Sequence, residues 1–140
     1  MMQSVIVIGL TVAVLAAALH VLIFWMESVA WEGALARRSF GGTPEEARPH
    51  AFYAYNQGFY NLFLALEVFL GVFLWAAGGS GPAPWAGAAL VLFGAGSMLA
   101  AAVVLALKSP AHRGAALKQG SLPAIAVALP LALSFLKVVS

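Results

Sequence analysis

From Ser4 to Met26 the chain has no Lys, Arg, Asp or Glu, and its first charged residue is Glu27. A run of that length exceeds the apolar core of a secretory signal, and no basic residue precedes it, so it reads as a retained helix. At about 1.5 Å per residue, a helix over 4–31 is longer than the ~30 Å thickness of bilayer hydrocarbon. A helix apolar on all sides needs lipid around it, and in lipid every backbone group must find its partner within the chain.

Three more runs of this kind follow, over about 50–77, 85–107 and 121–136. Composition agrees: 63% of the 140 residues are hydrophobic, 9% are charged, and mean hydropathy is +0.96. A soluble domain would carry roughly a quarter charged residues. The expectation is an all-α fold: an integral membrane, antiparallel four-helix bundle forming a single transmembrane domain over 1–140. Pro123 near the start of the fourth run, and Pro130 inside it, are tolerated where neighbouring helices satisfy the freed carbonyl.

The basic residues orient this bundle. Arg37, Arg38 and Arg48 lie in the first connection, Lys108, Arg113 and Lys118 in the third, and Lys137 alone lies on the other side. Excess Lys and Arg marks the cytoplasmic side. Both termini and the GGSGPAP turn are therefore expected outside, with loops 32–49 and 108–120 in the cytoplasm, in the cell (inner) membrane. The pI near 9.3 thus reflects topology and implies no nucleic-acid partner. The bias also weighs against small multidrug transporters that work as antiparallel dimers, since those need an ambiguous charge distribution.

Within the first connection, Gly41 and Gly42 break the chain. Thr43, Pro44 and Glu46 then form a helix start: an N-cap, a proline in the first turn, and a capping-box acid. In the third run Gly87, Gly94, Ser97 and Ala101 share a face, as small residues do where helix backbones approach closely. Trp25, Trp31, Tyr53, Tyr55, Trp75 and Trp85 lie near the expected interfaces and read as anchoring belts.

Polar side chains at membrane depth are costly and need partners. His20 and Glu27 share a face of the first helix. The second carries Asn56, Gln57, Tyr60, Asn61 and Glu67, with Asn56, Tyr60 and Glu67 on one face; Gln119 opens the fourth. Helix rise puts Glu27 level with Asn56 and Gln57, and His20 level with Tyr60 and Asn61. One reading is a pocket for a small lipophilic molecule. Glu27 would be the general acid or base, His20 and Tyr60 its catalytic partners, and Asn56, Gln57, Asn61 and Gln119 the substrate-binding groups. The other is a hydrogen-bond network that joins the first two helices. With no cysteine, disulfides, thiolate catalysis and Cys-ligated metal are excluded. There is no Asp, no HExxH and no phosphate-binding glycine loop. His112 reads as a solvated loop residue.

The stretches LHVLIFWMESVAW, YNQGFYNLFLAL and KQGSLPAIAVAL together resemble a widespread bacterial family of small four-helix membrane proteins catalogued as a domain of unknown function. The Asn56–Asn61 element carries most of that resemblance. Arg48-Pro49-His50 followed by Asn56 is similar to the second helix of styrene oxide isomerases. That likeness implies a haem cofactor with His50 as its ligand, Asn56 at the epoxide oxygen, and isomerase chemistry. The membrane-associated eicosanoid and glutathione enzymes are similar in architecture and imply a homo-oligomer, a dimer or trimer. Their helix-two pattern of Arg-Ala-x-x-Asn-x-x-Glu is not kept, because Phe52 stands four residues after Arg48. The functions left open are a membrane enzyme acting on an oxygenated lipophile, a non-catalytic accessory subunit, and a proton-coupled transporter using Glu27.

Overall fold

A computed structural model describes the backbone of residues 2–139 and the side chains of residues 4–129. All regular structure among the described residues is helical. Helix α1, Met2–Phe24, continues into a π-helical turn, Trp25–Val29, closed by the Ala30 amide donating to the Trp25 carbonyl at 2.9 Å. The chain then turns into α2, Ala34–Phe40. Gly41 and Gly42 follow with φ of 84° and 74°, a left-handed backbone that costs glycine nothing and most other residues a good deal. The short α3, Pro44–Ala47, starts on the expected capping box. Thr43 Oγ1 accepts from the Glu46 amide, and the Glu46 carboxylate accepts from the Thr43 amide. A 3-10 turn over Arg48–His50, with Pro49 inside it, leads into α4, Ala51–Ala77. Helix α5 is Ala83–Lys108. After a 3-10 turn at Pro110–His112, α6 runs from Arg113 to Val139.

Two boundaries differ from expectation. The first connection is not a plain linker but carries α2 and α3. The third shrinks from 108–120 to four residues, Ser109–His112, because α6 starts eight positions before Ser121. Gly114 and Gly120, which the expected third connection contained, both sit inside α6. At Gly120 a Cβ would come within 2.8 Å of Ala102 Cβ, so the missing side chain is what lets α6 lie against α5.

Helix α1 packs against α4 and α6, and α5 against the same two. The core is built from small residues: Ala13, Ala16 and Ala17 of α1, Ala65 and Val68 of α4, Ala95 and Met98 of α5, and Ala126 of α6. In lipid, helices gain little from burying apolar surface against one another, so close backbone approach between small residues supplies the contact. The closest approach joins α4 and α5, where a Cβ on Gly87 would stand 2.5 Å from the Gly71 carbonyl oxygen. On the small-residue face of α5, Gly87 and Gly94 are buried in packing, Ser97 is half-buried and Ala101 is exposed.

Among the described residues, three stretches are long and apolar enough to cross a membrane: Ser4–Val29, Pro44–Ala77 and Ala83–Lys108. Of the expected fourth crossing, 121–136, the side chains of 121–129 are described, while those of 130–136, Pro130 among them, and of Lys137 lie outside the described residues.

Candidate functional site

The site begins where α1 meets α4. Helix α4 presents Gly58 to the π-helical turn of α1. A Cβ at position 58 would collide with Ser28 Oγ and stand 3.1 Å from both Glu27 Cβ and the Phe24 carbonyl oxygen. Only a residue without a side chain lets the turn settle there. Ser28 Oγ then donates to the Tyr55 carbonyl at 2.8 Å, and Phe24 packs edge-on against Phe59 at 5.2 Å between ring centroids.

This contact carries Glu27 to Asn61. Asn61 is 6% exposed. Its Nδ2 donates to Glu27 Oε2 at 2.9 Å and to the Gln57 carbonyl at 3.1 Å. Both partners are acceptors, which fixes the orientation of the amide. The other carboxyl oxygen of Glu27 has no hydrogen-bond partner among the described residues.

Glu27 and Asn61 line a cavity of about 690 Å³. Leu19, Leu22 and Ile23 of α1, with Ala101 and Leu105 of α5, make an apolar wall. Gln57 of α4 and Gln119 of α6 add neutral hydrogen-bonding groups, while His50, His112 and Lys118 stand at its margin. Helix α2 closes one side with Arg37 and Phe40. The Arg37 guanidinium lies over the Trp31 ring, 4.2 Å from its centroid. It donates to the carbonyls of Trp31 at 3.0 Å and Gly41 at 2.7 Å, and Trp31 is itself tied to the Ala47 carbonyl at 2.8 Å. The segment between α1 and α4 is thus a fastened wall of the cavity.

Of the expected site residues, Glu27, Gln57, Asn61, Gln119 and His50 come together on this wall, and His20, Asn56 and Tyr60 do not. His20 is fully buried in α1, where Nδ1–H donates to the Ala16 carbonyl at 2.9 Å. Its Nε2 is buried with no partner among the described residues, and the side chain does not reach the cavity wall. Asn56 and Tyr60 are exposed on the outer face of α4. Asn56 is five residues from the buried Asn61, about 140° round the helix, so the two cannot face one cavity. His112 is exposed as expected, with its Nδ1 hydrogen-bonded to Ser109 Oγ at 2.6 Å, and it also stands at the cavity margin. Trp25, Tyr53, Tyr55 and Trp85 are exposed, as anchoring residues would be. Trp31 instead braces Arg37.

Sequence reasoning passed over Gly58 and Ser28, and read Arg37 only as an orienting charge and Trp31 only as an interface anchor. The signal for Gly58 was present: a glycine inside an apolar helix, between Gln57 and Asn61, marks close backbone approach. The π-helical turn had no comparable signal.

A family profile described as protein of unknown function (DUF1304) matches residues 14–131. The chain belongs to the DUF1304 family. Every residue of the cavity wall falls within the segment shared with DUF1304. No curated protein and no solved structure matches the chain. The geometry does not fit the haem arrangement of styrene oxide isomerases, which needs His50 and Asn56 at one site. In this DUF1304 protein His50 stands at the cavity and Asn56 faces away from it.

Proposed function

We propose that this DUF1304 protein crosses the cell (inner) membrane four times as an antiparallel bundle, with both termini outside, and binds a small oxygenated lipophile in the cavity around Glu27. Six basic residues at the ends of the helices that carry the cavity, against Lys137 alone, support the orientation. The cavity then opens toward the cytoplasm, level with the inner part of the bilayer. The observation that carries the binding reading is the composition of the wall: an apolar surface from α1 and α5 ends at the Glu27–Asn61 pair. Pockets for small molecules combine such a wall with a few fixed polar groups.

The chemistry this arrangement suits is acid–base isomerisation. A carboxyl held by Asn61 through one oxygen keeps the other for a substrate. Glu27 would deliver a proton to an epoxide or similar oxygen as the C–O bond opens. A hydride would shift from the oxygen-bearing carbon to the neighbouring carbon left cationic, and Glu27 would take the proton back from oxygen as the C=O bond forms, so the step needs no further reactant. Gln57 and Gln119 would orient the substrate oxygen.

The test is extraction of bound molecules. The protein, purified in mild detergent, is compared by mass spectrometry with Ile23→Trp and Ala101→Trp, which fill the cavity from opposite walls. The expected result is a lipophile enriched in the unmodified protein and depleted in both folded variants. Equal content in all three would overturn the reading.

A further inference from the structure

The polar residues that the cavity leaves out lie on one surface. Asn56, Tyr60 and Glu67 follow each other at steps of four and seven along α4, over about 16 Å of helix. Tyr60 is 55% exposed, and Phe63, between Tyr60 and Glu67 on the same face, is 57% exposed. Glu67 is partly exposed beside α5, where a Cβ on Gly94 would lie 3.6 Å from its carboxyl carbon. None of the three polar side chains has a hydrogen-bond or ion-pair partner among the described residues, in which the ion pair is Glu32–Arg48. Lipid chains offer no donor or acceptor at this depth.

We propose that a second copy of the chain covers this stripe, forming a parallel dimer in which α4 meets α4 about a two-fold axis along the membrane normal. Two features select a second copy as the occupant. First, the stripe is self-complementary. A two-fold axis along the normal brings each residue to its own counterpart at the same depth. An Asn amide pairs with an Asn amide, and a Tyr hydroxyl both donates and accepts. Second, the six-to-one charge bias inserts every copy in the same direction, so equal depths are what the copies present. Polar side chains are known to join helices across such interfaces in lipid. This inference stands apart from the cavity, since Asn56, Tyr60 and Glu67 are not on its wall.

The absence of cysteine from the chain makes a direct test available. Single substitutions Tyr60→Cys and Phe63→Cys on the stripe, and Val7→Cys on α1 and Ile125→Cys on α6 as exposed controls, are oxidised in native membranes. A disulfide needs Cβ atoms roughly 3.5–4.5 Å apart, so a covalent dimer reports close approach at that position. The expected result is a dimer band from both stripe variants and none from the controls. Phe63→Cys leaves all three polar residues in place, so this arm survives any folding defect caused by removing them. In a second arm, native mass spectrometry at fixed detergent concentration compares the unmodified protein with the combined variant Asn56→Leu, Tyr60→Phe, Glu67→Leu. The dimer is expected to become a monomer. Equal cross-linking at all four positions, no cross-linking on the stripe, or an unmodified protein that is monomeric would each overturn the proposal, as would a cross-linked product containing a different protein.

Discussion

Asn61 of α4 donates a 2.9 Å hydrogen bond to the carboxyl of Glu27, which lies thirty-four positions earlier in the π-helical turn after α1. The same amide nitrogen also holds the Gln57 carbonyl, so one buried side chain ties a helix turn, a second helix and the cavity wall together. Glu27→Gln keeps an oxygen that can accept from Asn61, and the expected outcome is a folded protein with little change in thermal midpoint. Asn61→Leu leaves the carboxyl without its donor and is expected to destabilise. The coupling between the two positions should be about 0.6 kcal/mol and at most about 1.7, as for polar pairs between membrane helices. A double-mutant cycle of unfolding in mixed micelles measures it, and zero coupling would mean the pair does not form in the membrane.

Gly58 sets how deep the π-helical turn can sink into α4. Gly58→Ala places a methyl against Ser28 Oγ, Glu27 Cβ and the Phe24 carbonyl, and overpacking of this kind costs about 1–3 kcal/mol. Ser28→Ala removes the nearest of those atoms at the expense of the bond to the Tyr55 carbonyl. The double variant should therefore lose less than the sum of the single ones, by about 1 kcal/mol. Additive losses would place the clash elsewhere.

The membrane-crossing helices were legible because the absence of charge over a span length is a one-dimensional signal. The capping box at Thr43 and Glu46 was legible because it is local. The polar groups at depth were visible too, since Glu27 and Asn61 stand out in any apolar run. The pairing was not legible. Helix rise assumes that α1 and α4 enter the membrane at one plane, whereas the extra residue of the π-helical turn and the missing side chain of Gly58 shift the two helices. Glu27 consequently reaches Asn61, one turn beyond the expected Asn56 and Gln57. Periodicity also shows which residues share a face without showing which face turns inward. Asn56 and Tyr60 share a face, and it is the outer one. The early start of α6 was not legible at Gly120, whose role at the α5 contact appears only when both helices are present.

Two glycines of α5 should respond to the same substitution with opposite signs. At Gly87 a Cβ would meet the Gly71 carbonyl at 2.5 Å and the Trp75 amide at 2.7 Å. Those atoms are backbone and cannot turn aside, so Gly87→Ala must push α4 and α5 apart at a cost of about 1–3 kcal/mol. At Gly96 a Cβ meets nothing within 4 Å. There Gly96→Ala removes only the entropic handicap of a mid-helix glycine, a gain of about 0.5–1 kcal/mol. Thermal unfolding in detergent should lower the midpoint for the first and raise it for the second. A loss at both would mean that Gly96 faces a contact the monomer does not contain.

Arg48 grips Glu32 with two nitrogens, Nε at 3.2 Å and Nη2 at 2.8 Å from the same carboxylate oxygen. The pair fastens the loop after α1 to the entry of α4. The hydrogen bond from Arg48 holds the Glu32 carboxyl below its ordinary range, with the charges of Arg48 and Arg37 acting in the same direction. A carboxyl depressed in the folded state adds stability above its unfolded value of about 4.3, and loses it as pH falls through the lower, folded value. The difference between the unmodified protein and Glu32→Gln is therefore expected in full at pH 7, and should be lost as pH falls below the ordinary carboxylate range and through the lower, folded value. Both side chains face solvent, so the effect is small and shrinks as salt is added. In carboxyl-detected NMR, Arg48→Gln should raise the titration midpoint of Glu32 toward the ordinary carboxylate range. An unchanged midpoint would mean that the fork does not persist in solution.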